Sequence, residues 1–154
     1  MIHRHRAWNR LSAIGALAYR PAPRQSTSGA RLYLALHGDV IRSAEVIRFL
    51  RHLRRHIRGP IVLLWDGLHA HRGRETTAYL QSCGRALSAL RLPAYAPELN
   101  PVEGLWAWLK GAQVPNLCAD GLSVVRAYVT RGRRRAARRP NLLFGFLRKT
   151  GLSL

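Results

Sequence analysis

Two carboxylates stand at positions where an acidic side chain is unusual. Asp66 closes the apolar run from Ile61 to Trp65, which favours a strand buried on both faces. Glu103 falls in the first turn of a helix that the sequence predicts to begin around Asn100. Acids are rare at buried strand ends unless they are paired or bind a metal, and the chain has only seven acids. The two carboxylates are therefore candidate ligands for a hard cation such as Mg²⁺.

Glu103 also has a purely structural interpretation. Asn100 suits the N-cap position and Pro101 the first helical position, and Glu103 then falls at the third, where its carboxylate could complete a capping box with Asn100. A lone Asn-Pro-x-Glu favours this interpretation, whereas the presence of Asp66 favours a shared site. The sequence leaves both open.

The elements that must position these acids begin with a hairpin. Residues 11–19 and 31–36 predict two strands, joined by a turn-rich connection. Ser43 is then the predicted cap of a helix across residues 44–58, whose apolar residues recur on one face. After the strand that ends at Asp66, a helix is predicted over residues 74–82 and a strand over residues 86–92. An opening hairpin followed by alternating strands and helices indicates the α/β class.

The residues around both acids resemble a known family. The strings from Trp65 to Arg72 and from Leu92 to Lys110, with Tyr-Ala-Pro-Glu-Leu-Asn-Pro-Val-Glu at the centre of the second, resemble the DDE endonuclease domain of transposases. The branch is the bacterial insertion-sequence group related to mariner elements. The resemblance implies a ribonuclease-H-like mixed sheet flanked by helices. In it Asp66 is the second catalytic carboxylate and Glu103 the third, and the 36 residues between them are near the spacing of that group.

The resemblance also implies the chemistry. It is metal-dependent DNA strand cleavage and strand transfer in the transposition of an insertion sequence, with Asp66 and Glu103 as catalytic and metal-binding residues. Two Mg²⁺ or Mn²⁺ ions about 3.5–4 Å apart would stabilise the attacking and leaving oxygens of an in-line displacement. His71 and Asn100 would support the carboxylates or touch the substrate, although a plain loop histidine is the alternative for His71.

The first carboxylate of the family has no counterpart in this sequence. It belongs on a first strand that precedes the hairpin and lies centrally in the sheet, and Asp39 falls in the wrong place to replace it. We therefore expect an N-terminally truncated domain that lacks its first central strand. An upstream-frame product or a full-length transposase is the expected partner, and the complete protein is expected to be a homo-oligomer.

The positive net charge indicates a polyanionic partner, and the resemblance implies that this polyanion is DNA. The formal net charge is +19, and only Lys110 and Lys149 of the 26 basic residues are Lys. Arg is suited to phosphates, so we expect non-specific DNA contacts. A general bias toward Arg, or an ordinary solvated helix face, are the alternatives. The predicted DNA-binding residues are Lys110, Arg131, Arg133, Arg134, Arg135, Arg138 and Arg139.

The predicted organisation has two parts. Residues 1–115 form the partial catalytic domain, and residues 116–154 form a basic helical extension of it. This extension has a break at 116–120, a helix from about Leu122 that Pro140 ends, and a short final helix over Asn141–Lys149. No membrane span or secretion signal is indicated, so a cytoplasmic, nucleoid-associated location is expected. Three alternatives stay open: an inactive nucleic-acid-binding remnant, a different ribonuclease-H-like nuclease, and a pseudogene product that never accumulates.

Overall fold

The computed structural model describes residues 11–20, 29–113 and 121–151. Within these ranges four strands and six α-helices follow in the order β1 (Ser12–Ala18), β2 (Arg31–His37), α1 (Ser43–His56), β3 (Ile61–Trp65), α2 (His69–Arg72), α3 (Arg74–Cys83), β4 (Leu87–Arg91), α4 (Pro101–Gln113), α5 (Leu122–Ala137) and α6 (Pro140–Lys149). The α/β class and the hairpin followed by alternating elements are confirmed. The predicted break at residues 116–120 lies outside the described residues. No described helix is long and apolar enough to cross a membrane.

The opening hairpin lies between two layers of helices. β1 and β2 pair antiparallel from Ser12 with His37 to Ala18 with Arg31. Successive side chains of a strand point to opposite faces. Tyr33 accordingly packs against the core cluster of α1, whereas Leu34 packs against the cluster of α4, α5 and α6. The hairpin thus has one apolar face for each layer.

The second pair of strands is covered on one face. β3 and β4 run parallel, and alternate residues of β3 (Ile61, Leu63 and Trp65) pack against α1. Val62 and Leu64, on the opposite face, are 63% and 42% exposed. The expectation that this strand is buried on both faces is therefore wrong, because among the described residues no layer covers the second face.

Helix boundaries follow the sequence with two corrections. Ser43 is the first residue of α1 rather than its cap, and the N–H of the capping residue, Arg42, donates to the Glu45 carboxylate at 3.1 Å. Pro140 does not end α5, which stops at Ala137. It begins α6, because a proline fits the first helical position, where no N–H is needed.

The two pairs of strands are separate. Among the described residues β1 pairs only with β2 and β3 only with β4, so the expected mixed sheet is divided into two halves. A cavity of about 900 Å³ lies between them, and we name it the inter-sheet slot. Consecutive residues of both strands, 13–18 of β1 and 61–65 of β3, line it. A cavity on one face would touch every second residue, so the slot follows the two strand edges.

Candidate functional site

Asp66 directly follows the last residue of β3. Its Oδ1 atom accepts the N–H of Leu68 at 3.2 Å, which turns the chain away from the sheet. The pairing with β4 continues to this point, because the N–H of Leu92 donates to the Trp65 carbonyl at 2.8 Å. The Asp66 side chain is 42% exposed, and it lines the inter-sheet slot. A strand that is paired on one side therefore holds the carboxylate at the mouth of the slot.

His71 also contacts the Asp66 carboxylate, at the same oxygen as the Leu68 N–H. Its Nδ1 atom lies 2.7 Å from Asp66 Oδ1 and 3.3 Å from the Asp66 carbonyl oxygen. The imidazole stacks on the Trp65 ring with centroids 4.4 Å apart and planes 9° apart. With Nδ1 as the donor to Asp66, the Nε2 atom is left for other partners. The stack and the hydrogen bond together fix the ring beside Asp66.

Thr76 fixes the short helix that carries His71. This side chain is fully buried, and its hydroxyl donates to the Ala70 carbonyl at 2.8 Å. Neither this anchor nor the stack on Trp65 was predicted from the sequence. The adjacent Trp65-Asp66 pair was visible in the sequence, but a ring contact between Trp65 and His71 depends on how α2 folds back.

The hydrogen bonds of Asn100 at the start of α4 test whether Glu103 completes a capping box. The Asn100 Oδ1 atom accepts the N–H of Val102 at 3.1 Å, so Asn100 caps the helix as predicted. The backbone N–H of Asn100 donates to the Pro97 carbonyl at 2.9 Å rather than to Glu103. The capping-box interpretation of Glu103 is therefore wrong. Its exposed carboxylate has no hydrogen-bond or ion-pair partner among the described residues.

Four of the predicted residues line one cavity, the inter-sheet slot. Asp66, His71, Asn100 and Glu103 all line it. They do not by themselves complete a metal cage, because no three His, Cys, Asp or Glu side chains in the described part of the chain lie close enough to hold an ion. The donor atoms are the hard oxygens that Mg²⁺ prefers, and Asp66 Oδ2 and both Glu103 oxygens have no described partner. These oxygen atoms therefore suit a divalent cation, but the described residues supply too few of them to hold one.

The predicted DNA-binding residues lie away from the slot. Lys110 is exposed in the second half of α4, and the Arg residues lie on α5 or in the connection that follows it. Arg133 is half-buried, and the others are exposed. Arg131 lies over the ring of Tyr128 at 5.8 Å. Within the described ranges the ion pairs are Arg48–Glu45 and His71–Asp66, so this basic surface has no acidic partner there.

The fold and the carboxylates on one cavity define a ribonuclease-H-like domain with a candidate metal site. Comparison with family models then shows that the chain belongs to the DDE superfamily endonucleases, because that model matches residues 3–117. A comparison with curated protein sequences found no match.

Solved structures show the same fold. The Mos1 mariner paired end complex with Mn matches with a TM-score of 0.65 and 16% identity, covering 91% of this chain and 52% of that chain. The catalytic domain of Mos1 mariner transposase matches with a TM-score of 0.55 and 17% identity, covering 94% and 83%. The Mos1 catalytic domain with Raltegravir and Mg matches with a TM-score of 0.55 and 16% identity, covering 94% and 84%. The chain thus spans about half the length of the first of these proteins.

Proposed function

We propose that this chain is the catalytic region of an insertion-sequence transposase, which cleaves DNA strands and transfers them in a metal-dependent reaction. The observation that carries the proposal is that Asp66 and Glu103 open on one cavity in a chain of the DDE endonuclease family. The absence of a capping box also supports the proposal, because it leaves the Glu103 carboxylate without a structural partner among the described residues.

Asp66 and Glu103 are the residues that would hold Mg²⁺ or Mn²⁺. Two such ions, when bound, stabilise the charge on the attacking and leaving oxygens of a phosphodiester. The chain itself would orient one ligand, because His71 and the Leu68 N–H both hold Asp66 Oδ1, and Oδ2, which has no partner among the described residues, would be available to a cation. Asn100 would act through the backbone, because its cap fixes the turn of α4 that carries Glu103.

DNA is the proposed partner. The Mos1 structures include a paired end complex and a complex with the left transposon end, and this chain shares their fold. Its net charge of +19 and the Arg surface of α5, which has no acidic partner among the described residues, support phosphate contacts. A nucleoid-associated, cytoplasmic location, a homo-oligomer and an upstream-frame or full-length partner belong to the same proposal.

Nicking of supercoiled plasmid tests the proposal. Fused to the upstream-frame product that would supply the first carboxylate, the full chain should convert supercoiled to open-circular DNA with Mg²⁺ or Mn²⁺, and chelation should stop the conversion. Asp66→Asn and Glu103→Gln should each abolish it, because each removes a charged ligand without changing the shape of the side chain. Asp39→Asn and Glu98→Gln are matched controls, because these exposed acids do not line the slot.

An inactive DNA-binding remnant is the second candidate. The finding that favours it is the lack of a three-ligand group among the described residues. It predicts DNA binding without nicking under any metal, and it predicts that Asp66→Asn leaves DNA affinity unchanged. Nicking that persists equally in both carboxylate variants would instead contradict the assignment of Asp66 and Glu103.

A further inference from the structure

We propose that the ring of Tyr95 is a stacking platform for an unpaired nucleobase of DNA, close to the carboxylates Asp66 and Glu103. The choice of DNA as the ligand rests on the proposed function, whereas the site itself rests on the geometry of Tyr95. The metal-dependent chemistry described above makes no use of this residue, so the platform is an additional binding site.

The backbone of Tyr95 has a conformation that is unfavourable for tyrosine. Its φ is +59°, in the left-handed region, and no other non-glycine residue in the described ranges has a positive φ. Glycine adopts this region freely and asparagine readily, whereas a bulky side chain crowds the backbone there. Glycine or asparagine would therefore stabilise this turn more than tyrosine does.

The side chain of Tyr95 makes no contact that compensates for this strain. Its relative exposure is 102%, and the ring has no hydrogen bond or ring contact within the described part of the chain. A tyrosine ordinarily stabilises a fold by burying its ring. Strained residues are concentrated at ligand-binding and active sites, where the strain serves function rather than stability. The ring is therefore available to a ligand.

The connection that carries Tyr95 is fixed on both sides of it. Before it, the N–H of Leu92 donates to the Trp65 carbonyl at 2.8 Å, and Pro93 follows with a φ that its ring restricts. After it, the chain forms the 3₁₀ turn Pro97–Leu99. An aromatic ring presented by a restricted backbone loses little conformational freedom when a base stacks on it.

The same connection brings the ring near the candidate metal site. Leu92 is hydrogen-bonded to the residue that precedes Asp66, and the chain from Leu92 to Tyr95 spans at most about 11 Å. Further along, Asn100 caps the helix that carries Glu103. Tyr95 thus lies at the edge of the sheet where Asp66 lies, in the connection that leads to Glu103.

An unpaired base suits this ring better than duplex DNA does. Bases inside a duplex stack on one another and offer no free face, whereas an unstacked base can lie on an aromatic ring. The charged residues nearest to Tyr95 in the chain, Arg91 and Glu98, are both exposed and have opposite charges, so the connection is not itself a basic surface. Stacking on Tyr95 should therefore depend little on salt. A protein could also cover an exposed ring, but the net charge of +19 favours a polyanion.

Binding of fluorescein-labelled oligothymidylate to the full chain tests the platform. This ligand has no paired bases, and its duplex with oligodeoxyadenylate is the matched control. Tyr95→Asn keeps the net charge and suits the left-handed backbone but removes the ring. It should weaken binding of oligothymidylate about 10-fold or more at every salt concentration, without changing the salt dependence or the affinity for the duplex. Tyr95→Phe, which keeps a ring, should bind like the original chain.

Two further measurements separate a role in binding from a role in folding. Oligothymidylate that carries one 5-iodouracil should crosslink to Tyr95 under ultraviolet light, and mass spectrometry of the peptides would locate the crosslink. Urea denaturation should show that Tyr95→Asn is more stable than the original chain, because asparagine relieves the strained backbone.

Four results would overturn the platform. Equal affinity of Tyr95→Asn and the original chain for oligothymidylate would show that no base stacks on the ring, and so would a complete lack of DNA binding. An equal loss for duplex and single-stranded DNA would mean that the ring contacts something other than an unpaired base. A lower stability of Tyr95→Asn would assign the tyrosine to the fold. A changed oligomeric state with unchanged DNA affinity would make a protein the partner of the ring.

The binding assay contains no metal and no cleavage step, so its outcome can be distinguished from that of the nicking assay. If the plasmid is nicked but Tyr95→Asn binds oligothymidylate normally, the proposed function stands and the platform fails. If Tyr95→Asn loses single-strand affinity while no nicking occurs under any metal, the platform stands and the catalytic proposal fails.

Discussion

At the scale of single residues, the contact between His71 and Asp66 carries the most information about the site. The hydrogen bond of 2.7 Å orients the carboxylate, and the stack on Trp65 orients the imidazole. We therefore propose that His71 is a positioning residue that acts through Asp66. Residues that orient a ligand in this way contribute about 10- to 100-fold to metal affinity.

His71→Phe separates the hydrogen bond from the stack. The ring is kept, so the contact with Trp65 should survive, while the donor to Asp66 is lost. We expect Mn²⁺ affinity to fall about 10-fold or more. Titration of Mn²⁺ by electron paramagnetic resonance would measure this loss. His71→Gln, which keeps a side-chain N–H, should recover part of it, and equal affinity in all three proteins would show that His71 does not position the ligand.

His52 makes the stability of the fold depend on pH. Desolvation, followed by the charges of His56 and Arg55, lowers the pKa of His52 from its ordinary 6.5. The unfolded chain therefore binds a proton more readily than the folded chain, and the free energy of unfolding should decrease as the pH falls through 6.5 and below. Urea unfolding at about pH 5 and about pH 8 would measure the decrease. His52→Gln should make it smaller, and an unchanged decrease in that variant would assign it to other groups.

At the scale of elements, α4, which carries Glu103, packs closely against α6 at Gly104. A Cβ atom on Gly104 would lie 2.8 Å from Phe146 Cδ1, so α4 and α6 meet where only glycine fits. Phe146 is buried and cannot easily move. The neighbouring Gly111 of the same helix is exposed, and a Cβ there would meet nothing within 4 Å.

These two glycines give opposite predictions. Gly104→Ala should lower the free energy of unfolding by about 1–3 kcal/mol, because it overpacks the contact between α4 and α6. Gly111→Ala should raise it by up to about 1 kcal/mol, because alanine favours a helix in an open position. Chemical denaturation of both variants would measure the changes. A stabilising Gly104→Ala would mean that the two helices are not in close contact.

The elements also show how far the sequence could predict the fold and the site. Periodicity was sufficient for β1, α1 and α4, and the positions of Asp66 and Glu103 on a strand end and in a first helical turn are confirmed. The apolar run of β3 suggested two buried faces, but such a run cannot show whether a neighbouring layer exists, and Val62 is exposed. The stack of His71 on Trp65 could not be predicted, because it depends on tertiary packing.

At the scale of the whole molecule, positive charge should dominate the affinity for DNA. The logarithm of the binding constant should fall linearly with the logarithm of the salt concentration. Replacement of Arg134, Arg135 and Arg138 by Gln should reduce the slope by about 2.7 if each side chain contacts one phosphate. Fluorescence anisotropy with labelled duplex DNA would measure it.

A second set of Arg residues provides the control for that measurement. Arg51, Arg55 and Arg58 are exposed on α1 or just after it, and their replacement by Gln changes the net charge by the same amount. An equal reduction of the slope by both triple variants would show that DNA senses only the total charge and has no preferred face on α5.

The open strand edges have a consequence for how copies of the chain behave toward each other. The strand edges that have no partner strand within the described ranges, together with the exposed apolar residues Val62, Leu64 and Leu90, are surfaces on which identical molecules can pair edge to edge. Mutual repulsion from a net charge of +19 opposes that stacking over a distance of about 10 Å at 0.1 M salt. Colloidal stability of the isolated chain should therefore be highest in dilute buffer and should fall as the ionic strength rises.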